Sequence, residues 1–168
     1  MAERIVSPGV FTREKDVSFL PQGIGEIGAA IIGPTVKGPA FVPTNITSYS
    51  EFENAFGKVD TRYYVPYTVK EYLENGNIKN SVNFPAAEME MHNEARILIA
   101  NKNVPNMVSQ ISTVLAAEGI NIENMLNKKR DNIAYNIIDV DKPKINETIK
   151  EKLLSIDGIF MVRIIQAK

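Results

Sequence analysis

Between residues 95 and 165 apolar segments of two different periods alternate, and this alternation constrains the fold more than any single motif does. Residues 96–100 (Arg-Ile-Leu-Ile-Ala) form a short apolar run with the character of a strand. Residues 106–117 carry Met107, Ile111, Val114 and Leu115 at helical spacing, and Gly119 follows the expected end. A second strand begins at 120–122 and leads toward Leu126, and the polar cluster 127–132 (Asn-Lys-Lys-Arg-Asp-Asn) reads as a hairpin connection. Residues 133–140 are rich in β-branched side chains, with Lys142-Pro143 closing the strand. A helix over 145–154 presents Ile149, Leu153 and Leu154 inward, and Gly158 precedes a last strand over 159–165. The order βαββαβ packs two helices on one face of a four-stranded antiparallel sheet.

Upstream the composition changes. Eight of the ten glycines and six of the nine prolines lie in residues 1–76. That part holds 7 basic and 9 acidic residues, and the remaining 92 hold 12 and 11. Such a shift predicts two modules joined near residue 76, with 77–94 as a linker and 95–168 as the second domain. In the first module Ser7-Pro8-Gly9 is a turn signal, and the apolar run 28–33, bounded by glycines, reads as a buried strand. Ser48 with Glu51 fits a capping box ahead of Phe52 and Phe56, closed by Gly57. A further helix is predicted over 66–75, with Val69, Tyr72 and Leu73 on one face and Gly76 at its end.

Composition excludes several kinds of chemistry. Nineteen basic against 20 acidic residues give a net charge of −1, which supplies no attraction to nucleic acid or an anionic membrane. No cysteine is present for thiolate ligation or nucleophilic attack, and His92 is the single histidine. No apolar run reaches the roughly 18 residues of a membrane span, and the first residues lack a signal-peptide core. These features predict a cytoplasmic, non-catalytic protein without a cofactor or metal.

The individual motifs mostly have simple readings. Gly23-Ile24-Gly25-Glu26-Ile27-Gly28 matches GxGxxG, but Pro21 and Pro34 deny it the strand and helix that a dinucleotide site requires, so it reads as a loop. Glu88 and Glu90 share a face of an extended segment without an implied pocket, and Asp139 and Asp141 read as solvated turn residues. His92 reads as an exposed histidine, Lys128-Lys129-Arg130 as a solvated tip, and the sequons at Asn45 and Asn146 as inert. One group stands out, Asn101, Asn103, Val104 and Asn106 between the first strand and helix, with Asn121 at the start of the next strand. Asparagine amides both donate and accept, and a helix N-terminus attracts an anion, so the group suits a small zwitterion. From spacing alone, capping and turn formation are the simpler account of the same asparagines.

Residues 72–165 resemble the C-terminal end of D-3-phosphoglycerate dehydrogenases. The resemblance is carried by YLENGNIKNSVNFP, NVPNMVSQISTVLAAEGINIENM, AYNIIDVD and LLSIDGIFMVRII. It implies a ferredoxin-like ACT domain that binds L-serine where two such domains pair, with Asn103 and Asn121 as ligand residues. Many members of that family have histidine where this chain has Asn101, and glycine where it has Asn106. The first part, through SPGVFTREKD, GAAIIGPTVKGPAFVP, SYSEFENAFG and YYVPYTVKEYLENG, resembles the beginning of a contractile phage tail sheath protein. That likeness implies assembly with other sheath subunits through an N-terminal arm, and a place in the virion tail as the alternative location.

The combined expectation is an α+β chimera: a small, incomplete α/β sheath-like segment over 1–76, then the ACT domain. Its function would be non-catalytic amino-acid binding with self-association through the sheet. A structural role in tail assembly, with the ACT unit as passenger, is the rival. Residues 81–84 are expected to pair with 29–32 as a substitute strand.

Overall fold

A computed structural model describes residues 29–91, 95–141 and 145–166. The expected turn at Ser7-Pro8-Gly9, the GxGxxG loop, His92 and the strand end at Lys142-Pro143 lie outside those residues. The C-terminal unit consists of β1 (Ala95–Lys102), α3 (Met107–Ala117), β2 (Ile122–Arg130), β3 (Ile133–Val140), α4 (Glu147–Leu154) and β4 (Ile159–Gln166). Upstream lie α1 (Tyr49–Phe56), α2 (Val65–Lys70) and a π-helical turn (Glu71–Asn75) that continues α2. The strands form an antiparallel sheet in the order β2-β3-β1-β4, the ferredoxin-like arrangement.

The sheet is covered on both faces. On one, Ile97, Ile99, Ile138 and Val140 pack against Met107, Ile111 and Leu115 of α3 and Ile149 and Leu153 of α4. On the other, Leu98, Ala100, Tyr135 and Ile137 pack against Ile78 and Ala87, with Phe84 and Met89 alongside. Residues 75–91 thus form a strap across the face that a two-layer unit leaves open. This double cover explains why β1 and β3 are near-continuous apolar runs, as fully buried strands are.

Three of the sequence expectations fail here for identifiable reasons. Residues 29–32 form no strand, and Ile32 is 96% exposed. The expected pairing with 81–84 is absent: Val82 is exposed, Ser81 Oγ accepts from the Phe84 amide at 3.1 Å, and the strap instead closes on an isolated Ile78–Ala87 bridge. A four-residue apolar run flanked by glycine and proline has too few ladder bonds to hold a sheet by itself. Second, 127–132 is not all turn, because β2 runs to Arg130 and only Asp131 and Asn132 connect it to β3. An edge strand tolerates charged side chains that a central strand would not. Third, Asp139 is not a solvated turn residue. It is fully buried on β3 opposite Arg96 of β1.

Smaller adjustments follow local chemistry. The expected 66–75 helix is α2 plus the π turn, ended by Gly76 at φ 69°. Asn146 caps α4 by accepting from the Ile149 amide, so the helix starts later than expected, and Leu154 turns outward. Ser48 accepts from the Glu51 amide as expected, while the Glu51 carboxylate reaches back to the Thr47 amide and hydroxyl.

Three sheet residues hold the carbonyls of the strap and of the π turn that leads into it. Tyr135 Oη donates to Gly76 O at 2.8 Å, and Arg163 Nη1 to Tyr72 O at 2.8 Å, with Nη2 bonded to Leu73 O. Arg96 donates to Asn75 O and Met89 O at 2.8 Å and to Glu90 O at 2.9 Å. Carbonyls at the end of a helical turn need such partners. At the start of the strap Glu71 Oε2 accepts from Asn77 Nδ2 at 2.8 Å and Asn75 Nδ2 at 3.2 Å. Burial works to raise the Glu71 carboxyl, but those amides, with Lys79 and Lys70, outweigh it and hold its pKa below the ordinary value. A folded-state pKa below the unfolded one stabilises fully above the unfolded pKa, and the contribution is lost as pH falls through the folded one. The expected outcome is a smaller drop in melting temperature between neutral pH and about pH 3.5 for Glu71→Gln than for the wild type. Equal drops in the two proteins would show that Glu71 does not carry this dependence.

Candidate ligand site

The loop from Lys102 to Asn106 is anchored at both of its neighbours. Lys102 N donates to Gly158 O and Asn103 N to Asn132 O, each at 2.8 Å, and Asn103 Nδ2 reaches Asp131 O at 3.5 Å. The loop therefore sits against the β2–β3 turn. Asn103, Val104 and Asn106 are exposed there. Asn106 adopts a left-handed conformation (φ 70°), and its side chain makes no capping bond to α3. The first-turn N–H groups of α3 are thus left without a side-chain cap, the condition under which a helix N-terminus attracts an anion.

The other two candidates lie elsewhere. Asn101 is 1% exposed, and its amide is engaged: Oδ1 accepts from Asn136 Nδ2 at 2.7 Å, and Nδ2 donates to Lys102 O at 2.6 Å. It supports the loop from beneath. Asn121 is exposed at the far end of the sheet, where its N–H donates to Asp141 Oδ1 and its Nδ2 to Glu123 Oε1, both at 3.0 Å. The strand register places Lys102 beside Ile133 and Ile122 beside Val140. At ~3.3 Å per residue, Asn121 and the loop are roughly 23 Å apart along the strands. Within one chain they do not meet.

Sequence reasoning missed Asn127 and Asn136, which extend the Asn101 interaction across the sheet (Asn127 Nδ2 to Asn136 Oδ1, 2.6 Å). The available signal was an asparagine in the middle of a strand whose other residues, Asp139 apart, are apolar or aromatic. Among the described residues no three or more His, Cys, Asp or Glu side chains are placed to hold a metal, and no helix is long and apolar enough to cross a membrane.

No protein-family model matches the chain. D-3-phosphoglycerate dehydrogenase of Escherichia coli strain K12 is 26% identical over 84 residues, covering 50% of this chain and 20% of that protein. D-3-phosphoglycerate dehydrogenase 2 of Saccharomyces cerevisiae is 27% identical over 108 residues, covering 60% and 23%. This chain therefore spans about a fifth of the length of the curated relatives it matches. Among solved structures, the ACT domain from GTP pyrophosphokinase of Chlorobium tepidum is 26% identical with a TM-score of 0.35, covering 42% of this chain and 95% of that one. An ACT domain protein from Streptococcus pneumoniae is 19% identical with a TM-score of 0.37, covering 43% and 86%. The C-terminal half of the chain resembles a part, about a fifth of the length, of D-3-phosphoglycerate dehydrogenases.

Proposed function

We propose that the C-terminal unit is a non-catalytic, ACT-type regulatory module that binds a small amino acid, L-serine or a close analogue, between two copies of the chain. The observation that carries this reading is the placement of Asn103 and Asn121 at opposite ends of the edge strand β2. A two-fold axis through Leu126 would pair β2 antiparallel with the partner's β2, extending the sheet and removing an exposed edge. The same axis sets Glu123 across from the partner's Lys129, a favourable cross-strand pair. It also brings Asn121 beside the partner's Asp131–Asn132 turn, the turn to which each Asn103 is bonded within its own chain. Asn121 of one copy and the partner's Asn103 then face one ligand, whose carboxylate takes the uncapped α3 N-terminus and whose ammonium takes amide oxygens. The sequence likeness to D-3-phosphoglycerate dehydrogenases supports serine as the ligand.

Calorimetric titration of L-serine into the full chain, with sedimentation to fix the oligomeric state, tests this. The expected result is saturable binding by a dimer. Asn103→Ala or Asn121→Ala should lose roughly tenfold or more in affinity, about 1.4 kcal/mol, with the melting temperature held. A dimer giving no heat at millimolar serine would refute the ligand.

For the first 76 residues we propose, from their sequence motifs alone, a role like that of the beginning of a tail sheath subunit. Ile32, Phe41 and Val42 are exposed apolar side chains that fit a segment covered by a neighbouring subunit. Tubes or polymers by negative-stain microscopy would support that assembly role, and discrete dimers alone at high concentration would count against it.

A further inference from the structure

The helix-facing side of the sheet is largely apolar, with Lys129 and Gln166 at its margins, and it carries one connected group of amides. Asn127 of β2 stands opposite Asn136 of β3, which reaches diagonally to Asn101 of β1, two residues beyond its own partner Ile99; the two bonds are 2.6 and 2.7 Å. Asn136 is completely buried and Asn101 nearly so, while Asn127 opens to solvent on the sheet edge. The direction of the row is set by two backbone carbonyls, which only accept. Ile99 O lies 3.4 Å from Asn136 Nδ2, and Lys102 O takes Asn101 Nδ2 at 2.6 Å. Each amide must therefore present its nitrogen inward along the row. The last bond ends on the first carbonyl of the ligand loop, next to the register shift between Ala100 and Asn101.

Buried amides add little net stability over apolar side chains of similar shape, even when fully bonded. Here their shared end point is the origin of the segment carrying Asn103 and Val104. We propose that this row positions the ligand loop, with Asn136 as its central positioning residue and Asn101 as the group that grips the loop. The proposal rests on the amino-acid-binding reading above, and its test separates the two.

The test uses the full chain with Asn101→Val and Asn136→Val combined, which removes both buried amides and leaves Asn127 to water. Three quantities are read: melting temperature, hydrogen exchange of the Asn103 amide, and L-serine affinity. The expected result is a retained melting temperature, with Asn103 exchange faster by about tenfold and affinity weaker by about tenfold. Asn136→Ser, which keeps a hydroxyl for Asn127 but is too short to reach Asn101, should move exchange and affinity in the same direction. Unchanged exchange and affinity in a folded variant would overturn the proposal. So would a collapse of the valine variant accompanied by wild-type exchange and affinity in Asn136→Ser, since the row would then serve packing alone. If the wild type binds no serine, the ligand reading fails, and Asn103 exchange by itself decides whether the row holds the loop.

Discussion

Replacing Arg96 by methionine is expected to cost about 3–5 kcal/mol, the range for breaking a buried ion pair from one side. Arg96 and Asp139 are both fully buried, joined by Nε–Oδ1 at 2.5 Å and Nη2–Oδ2 at 2.9 Å. With the strap carbonyls of Asn75, Met89 and Glu90, all five guanidinium N–H groups have acceptors. The methionine variant strands a buried carboxylate beneath the strap, near the ends of the two central strands, and frees three carbonyls. Against a typical total of 5–15 kcal/mol such a loss approaches unfolding, and a melting temperature lower by about 10 °C or more is expected. Removing both charges with Arg96→Met and Asp139→Leu should recover much of the sheet's stability, because no lone charge remains buried. Hydrogen exchange in residues 75–91 should stay fast in that double variant, since its strap carbonyls still lack their donor. Full recovery of strap protection would show that Arg96 does not hold the strap.

Gly76→Ala is the second large effect. Gly76 ends the π turn at φ 69°, a left-handed backbone that costs a β-carbon about 1 kcal/mol. A Cβ there would lie 2.9 Å from Leu98 Cγ and closer still to both of its methyl groups. Leu98 is fully buried and cannot swing aside. Overpacking of that kind adds about 1–3 kcal/mol, so a total of roughly 2–4 kcal/mol is expected from chemical denaturation. Combining Gly76→Ala with Leu98→Ala should give a loss smaller than the sum of the two singles, as the new methyl enters the space that leucine vacates. Additive losses would place the cost in the backbone alone.

The C-terminal architecture was legible because its elements carry their own periodicity. Met107, Ile111 and Leu115 on α3 recur at helical spacing, and all three are buried against the sheet. The strap was not legible. Residues 77–91 have no period, and their proline and asparagines read as a linker; the Met89 and Glu90 carbonyls accept from Arg96, while Tyr135 and Arg163 hold the carbonyls of Gly76, Tyr72 and Leu73 just ahead of them. The Arg96–Asp139 pair was hidden too. The two residues are 43 positions apart, and only the β1–β3 register sets them opposite each other. The available clue was one charge of each sign in two strands otherwise almost wholly apolar. For the candidate site, the loop residues were visible as a cluster. The placement of Asn121 was not, because nearness to the loop in sequence gave no hint that β2 runs back along the whole sheet before the turn that touches Asn103.

That separation makes the central claim directly measurable. If the ligand lies between Asn121 of one copy and the partner's Asn103, the Asn103→Ala and Asn121→Ala proteins should each bind L-serine roughly tenfold or more weakly than the wild type. Mixed and re-equilibrated, they form heterodimers in which one of the two sites keeps both asparagines. Calorimetry on the mixture should then recover binding of near wild-type affinity, at one site per heterodimer. A mixture that binds as weakly as its two components, while sedimentation shows that the copies have exchanged, would contradict a ligand site shared between two chains.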